Sequence, residues 1–200
     1  MTSRVHRLLS AAVAAAVVVA VGAFGLHAAG AGKSAAELEK EKAMQNPYPN
    51  DLGPETVDVS GYPKEAQEGY TLLKSRCAQC HTAARPLNSR FVEPDAEKDK
   101  RESVVADLKK SAPDLFKDYS LHQIEAGVWQ RYVKRMMAKP GCKISPAEGK
   151  KIYKFLTVDS SKRKLGANAK KWAEHRKKLI EDFKKAHPER YKELHEAKDL

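Results

Sequence analysis

The residues best suited to do chemistry lie together at Cys77, Cys80 and His81, which form a C-x-x-C-H pentapeptide. Two thiols at this spacing can each add to one vinyl group of the same haem, and the adjacent imidazole can then bind the iron. The spacing is the attachment pattern of haem c. The motif therefore predicts one covalent haem c, with Cys77 and Cys80 as its thioethers and His81 as the proximal iron ligand.

A C-x-x-C pair also occurs in two other kinds of site. In thiol–disulfide enzymes it accompanies a βαβ pattern, which the sequence lacks. In structural zinc sites it is joined by further ligands at metal spacing, and this chain has no second cysteine pair. Its third cysteine, Cys142, is isolated in a turn, where we expect a free thiol, with an intermolecular disulfide as the alternative.

A distal iron ligand is expected downstream of His81. Met136 and Met137 follow it by 55 and 56 residues, at the end of a predicted helix. A thioether opposite an imidazole raises the reduction potential into the range of electron carriers. Met136 shares the apolar face that includes Val133 better than Met137 does, which favours Met136. Met137 is the second candidate, and His122, which would give a bis-histidine iron, is the third.

Residues 1–31 have the order of a secretory signal. Arg4 and Arg7 precede an uncharged run over residues 8–26, and Ala29-Gly30-Ala31 fits a cleavage site after Ala31. The run of 19 residues exceeds the usual signal core of about 7–15, so an uncleaved membrane anchor is the alternative. Both alternatives place the body of the protein outside the cytoplasm, in the periplasm or a similar compartment.

The rest of the chain divides into three segments by composition and pattern. Residues 32–62 are a Pro/Gly-rich spacer, residues 63–160 the predicted haem domain, and residues 161–200 a basic helical extension. Helices are predicted over Lys64–Arg76, 97–110 and Leu121–Ala138, and from Ser145-Pro146 onward, where a capping-box pattern begins. Because no stretch alternates as a strand does, the sequence predicts an all-α fold.

The net charge of +11 would by itself suggest nucleic acid as a partner. Its distribution changes that interpretation. Residues 134–154 carry a net charge of +6, and residues 161–200 carry another +6. Half of the excess thus surrounds the predicted methionine ligand. Together with the export signal, this favours redox proteins with acidic docking surfaces as partners, and argues against nucleic acid.

With these residues in hand, the chain resembles the class I (monohaem) cytochrome c family, and in particular its exported bacterial members. The resemblance covers roughly Pro63 to Thr157 and rests on the helix 64–76, the C-x-x-C-H motif, and a methionine before Pro140-Gly141. Gly69-Tyr70 is similar to the family's small-plus-aromatic pair at a helix crossing, with Tyr153 or Phe155 as the expected partner. In this family a proline about a dozen residues after the ligand histidine often accepts its hydrogen bond. The prolines here, Pro86 and Pro94, follow His81 by 5 and 13 residues and leave that acceptor open.

The resemblance implies a cytochrome c-like haem domain with an additional C-terminal helical extension. It also implies a one-electron carrier and not an enzyme, so no catalytic residues are expected. Two alternatives remain open at this stage. One is a haem subunit of a respiratory or photosynthetic membrane complex, tethered through residues 8–26. The other is a sensor or enzyme with five-coordinate haem.

Overall fold

A computed structural model describes residues 32–195, and the chain from Ser34 onward forms one compact unit. This part of the chain is mostly helical, as predicted. Its α-helices are, in order, α1 (Ala35–Gln45), α2 (Lys64–Arg76), α3 (Ala84–Leu87), α4 (Arg101–Ser111), α5 (Val128–Met137), α6 (Pro146–Lys164), α7 (Ala169–Ala186) and α8 (Pro188–His195). Short 3-10 turns lie at Pro49–Leu52, Cys77–Gln79, Pro113–Phe116 and Gly166–Asn168.

Two of the predicted helices begin where their local signals place them. The structure confirms α2 over Lys64–Arg76, with Pro63 preceding its first turn. The predicted capping box is present at the start of α6. There the Ser145 hydroxyl accepts from the Glu148 N–H, and the Glu148 carboxylate accepts from the Ser145 N–H.

The prediction of a continuous helix from Leu121 to Ala138 is wrong in its first third. Gly127 has a φ of 82°, a left-handed conformation that ends any helix, and α5 begins only at Val128. Before it lies strand β2 (Gln123–Ile124), which pairs in parallel with β1 (Phe91–Val92). The sequence analysis missed this short pairing, although the fold remains mostly helical as predicted. The pairing escapes sequence patterns because each strand is only two residues long.

The crossing of α2 over α6 forms the centre of the core. A Cβ added at Gly69 would lie 2.0 Å from the Lys151 carbonyl oxygen, so the two helices approach as closely as backbones can. Beside this contact the Tyr70 and Phe155 rings pack with their centroids 5.1 Å apart. Of the two expected aromatic partners, Phe155 is the one at the crossing. Tyr153 instead donates its hydroxyl to Glu93.

The segments that flank the predicted haem domain pack against it. From the expected spacer, Pro47 and Pro49 are buried, and the Val57 N–H donates to the Tyr70 hydroxyl at 3.2 Å. Helix α6 continues past residue 160, where the extension was expected to begin, to Lys164. Beyond it, α7 buries Trp172, Arg176, Leu179 and Phe183.

Among residues 32–195, no helix combines the length and apolarity needed to cross a membrane. The predicted export signal or anchor at residues 1–31 lies outside the described residues.

The close approach at Gly69 predicts a large effect from one added methyl group. Gly69→Ala should destabilise the fold by about 2–3 kcal/mol, because the Lys151 carbonyl and the Phe155 side chain must move apart. Gly61→Ala is the matched control, since an added Cβ there meets nothing within 4 Å, and its effect should stay within about 0.5 kcal/mol. Denaturant unfolding measures both. Equal stabilities for the two variants would contradict the crossing.

Candidate functional site

The cysteine pair sits directly after α2. The helix ends at Arg76, and Cys77–Gln79 continues it as one tighter turn, so the chain coils on through Cys80. Both cysteines are half-buried and free. Burial raises the pKa of the Cys77 thiol to about 12, and the nearby Cys142 and Cys80 thiols contribute in the same direction. Cys77 is therefore present as the neutral thiol near pH 7.

His81 is held by the backbone of the next residue. Its Nδ1 lies 2.8 Å from the Thr82 carbonyl oxygen. Because a carbonyl can only accept, Nδ1 carries the proton, and Nε2 keeps its lone pair. Burial lowers the pKa of His81, and the charges of Arg85 and Lys139 lower it further against the opposing hydrogen bond and Asp51. The imidazole is thus in the neutral form that binds a metal.

The acceptor for His81 is therefore neither proline carbonyl that the family pattern suggested. Thr82 itself is tied to a second polar group, since its hydroxyl lies 3.4 Å from Asp51 Oδ1. Asp51 also receives Arg85, whose Nε and Nη2 lie 2.9 Å and 2.7 Å from its two oxygens. The Asp51 side chain is only 1% exposed, so this ion pair is shielded from water.

The two methionines at the end of α5 lie on different faces of the helix. A Cβ built on Gly149 would lie 2.5 Å from the Met137 sulfur and 3.6 Å from a Val133 methyl group. Met137, not Met136, therefore shares the packing of Val133 against α6. The argument that assigned this apolar face to Met136 is wrong, because the four-residue step from Val133 aligns better with the helical repeat than the three-residue step.

Met136 follows Tyr132 by four residues and shares its face instead. Tyr132 packs on Phe91, with ring centroids 4.4 Å apart. Burial raises the pKa of Tyr132, against the opposing charges of Arg135 and Arg90. This face of α5 packs on β1 through Tyr132, and Met136 on it is half-buried.

The turn after α5 is folded against the C-x-x-C-H motif. Met137 and Ile144 on either side of the turn pack against the same core cluster as Cys77. At the end of α2, Arg76 Nη2 lies 3.1 Å from Glu148 Oε1. The charge of Lys139 contributes to the lowered pKa of His81, and the Cys142 thiol to the raised pKa of Cys77. The turn is closed by the Cys142 N–H, which donates to the Lys139 carbonyl at 3.1 Å. Residues more than 55 positions apart in the chain thereby meet at one site.

His122, the third candidate ligand, makes a different contact. Its Nε2 lies 3.0 Å from the Lys164 carbonyl oxygen and so donates to the end of α6. The charged groups that perturb its pKa, after burial, are Lys164, Asp118 and Arg176, none of which belongs to the motif. His122 therefore packs against the end of α6.

Glu93 holds the start of α5, a role that the sequence did not indicate. Its side chain is fully buried, and one oxygen accepts from the backbone N–H groups of Trp129 and Gln130, at 2.8 Å and 3.1 Å. The other oxygen accepts from Tyr153 and pairs with Arg101. The carboxylate thereby caps the N-terminus of the helix that carries Met136. Its sequence context, Glu93-Pro94-Asp95, is that of an ordinary turn.

In the part of the chain that the structure describes, no three His, Cys, Asp or Glu side chains gather at metal-binding distance. A haem iron bound by one histidine and one methionine requires no such cluster. Comparison of the chain with protein-family models, curated proteins and solved structures gives no match.

Proposed function

We propose that this chain is a monohaem c-type cytochrome that carries single electrons outside the cytoplasm. The observation that carries the proposal is the state of the C-x-x-C-H motif. Two free cysteines follow α2, and the adjacent imidazole is neutral with Nε2 available. These donors fit a covalent haem c, with Cys77 and Cys80 as thioethers and His81 as proximal ligand.

The surrounding packing supports the same proposal. The crossing at Gly69, with Tyr70 against Phe155, corresponds to the helix contact that the cytochrome c resemblance implies. The turn after α5 brings the methionine end of that helix to the motif, and Met136 is the proposed distal ligand. Met137 is occupied in packing against α6. Bound haem would supply an iron that cycles between Fe(II) and Fe(III).

The chain itself would contribute attachment, orientation and shielding. Two thioethers prevent loss of the cofactor from a small domain. The Thr82 carbonyl fixes the His81 ring and its tautomer. With His81 and Met136 both bound to the iron, no coordination position would remain for a small ligand, as expected for an electron carrier rather than an enzyme.

Covalent haem is tested by expressing the full chain in a host that matures c-type cytochromes. The mass of the exported protein should increase by one haem, and its reduced form should show the sharp visible bands of low-spin haem. Changing both Cys77 and Cys80 to Ala should abolish attachment, whereas Cys142→Ala should retain it. An unsubstituted protein with no added mass, from a host that loads another c-type cytochrome, would overturn the proposal.

The different faces of the two methionines predict different phenotypes. Met136→Ala should abolish the charge-transfer band near the red edge of the visible spectrum of the oxidised protein and permit CO binding after reduction. Met137→Ala should retain the band but lose about 2–4 kcal/mol of stability through the cavity left against Gly149. Spectroscopy and denaturant unfolding separate the two effects. Loss of the band only in Met137→Ala would reverse the assignment.

The exposed cations beside the motif predict electrostatic docking of an acidic redox partner. Lys134, Arg135, Lys139, Lys143 and Lys150 are all exposed. Electron transfer to an acidic redox protein should slow at least tenfold between about 0.01 M and 0.15 M salt, where the screening length falls from about 30 Å to about 8 Å.

A pair of double variants locates this surface. Lys139→Gln with Lys143→Gln should slow electron transfer at low salt. Lys177→Gln with Lys178→Gln removes the same charge from α7 and should leave the rate nearly unchanged. Stopped-flow measurement that finds equal rates for the two double variants would assign the effect to net charge and exclude a docking surface at the motif.

A further inference from the structure

The C-terminal arm, which comprises α7 and α8, contacts several segments that lie far from it in the sequence. Arg176 on α7 is 4% exposed, and its guanidinium contacts three oxygens from three separate segments. Nη1 donates to Asn50 Oδ1 at 2.6 Å and to the Asn88 carbonyl at 2.8 Å, and Nη2 donates to the Ser120 carbonyl at 3.1 Å. None of these oxygens belongs to a carboxylate. A buried cation therefore serves as a connector between segments.

Helix α8 holds the same segment at a second point. Arg190 Nε lies 3.4 Å from the Pro47 carbonyl oxygen, and its guanidinium carbon lies 5.3 Å from the centre of the Tyr48 ring. With the contact from Arg176 to Asn50, the arm reaches both ends of residues 47–50. Two arginines from the end of the chain thus contact this turn, in addition to its own hydrogen bonds and the ion pair between Asp51 and Arg85.

The next residue, Asp51, connects residues 47–50 to the residues around His81. Its buried carboxylate accepts from Arg85 and from the Thr82 hydroxyl. The Thr82 carbonyl is the acceptor for His81 Nδ1–H. A continuous set of contacts therefore runs from Arg176 through Asn50 and Asp51 to Thr82, and ends at the imidazole.

We propose that the C-terminal arm positions His81, with Arg176 and Asn50 as positioning residues that hold the Thr82 carbonyl against the imidazole. The inference rests on the proposed function, because it assigns the arm an effect on the haem iron. It gives residues outside the cytochrome c-like core a role in setting the reduction potential.

The direction of the effect follows from the hydrogen bond to Nδ1. A firm N–H···O=C bond makes the imidazole a more basic ligand, which stabilises Fe(III) relative to Fe(II). Loosening residues 47–51 weakens this bond. Reduction then becomes easier, and the potential rises.

Two substitutions that preserve charge test the inference. Asn50→Ala removes the acceptor for Arg176 but leaves the arginine bonded to the Asn88 and Ser120 carbonyls. Arg176→Lys keeps the cation but replaces the planar fork of donors on separate nitrogens by a single ammonium nitrogen, which cannot reproduce the contacts of both Nη1 and Nη2. Each should increase the equilibrium constant for reduction several-fold and up to about tenfold, where tenfold corresponds to about 59 mV for one electron. The hyperfine-shifted proton resonances of the His81 ring should move in the same variants.

Asn168→Ala provides the matched control. Asn168 is exposed at the start of α7, and its amide donates to the Lys162 carbonyl at 2.9 Å, away from residues 47–51. Its potential and its His81 resonances should equal those of the unsubstituted protein. A purely structural role for the arm would lower the unfolding midpoint of Asn50→Ala and leave both readouts unchanged, and that result overturns the inference.

Haem content separates failure of the inference from failure of the proposed function. Asn50→Ala with a full complement of covalent haem and an unshifted potential overturns the positioning role alone. Absence of haem from the unsubstituted chain overturns the proposed function and the inference with it. Should Arg176→Lys fail to fold, Asn50→Ala decides the question, because it leaves every charged group in place.

Discussion

The close contact between Gly69 and the Lys151 carbonyl is the constraint on which the rest of the structure depends. It fixes where α2 lies against α6, and so fixes the point at which α2 delivers Cys77 to His81. The same helix α6 begins at Ser145, just after the turn that follows α5. One backbone contact therefore determines how the end of α5 meets the motif. A side chain at position 69 would push α2 away from α6, and would thereby move the motif at the end of α2 away from the end of α5.

A second structural requirement comes from the short chain that runs from the last residue of α3 to the first residue of β1. Backbone carbonyls outside regular structure still need donors when they are buried. Cationic side chains of α6 and α7 supply them here, through Arg163, Lys164 and Arg176. Their acceptors are the carbonyls of Leu87, Asn88, Ser89 and Phe91. The basic residues near the C-terminus are thus partly structural, and the charge excess of this region is not all available for docking.

Burial of these cations has an electrostatic consequence. Lys164 is fully buried, with its ammonium 4.7 Å from the Trp172 ring centre, and desolvation lowers its pKa well below the usual value. The pKa of Arg176 falls to about 10 for the same reason. The exposed cations around the turn after α5 are in water instead. Only that second group is suited to long-range attraction of an acidic partner.

The sequence alone determined the features that depend on local chemistry: the C-x-x-C-H motif, the bounds of α2, the capping box at Ser145 and the mostly helical fold. It identified the Gly69-Tyr70 pair but could not choose between Tyr153 and Phe155. Tertiary structure decided which face of α5 packs on α6, which carbonyl holds His81, and that Glu93 caps α5. Each of these depends on groups distant in the chain, and no short-range pattern encodes the partner of a buried carbonyl or carboxylate.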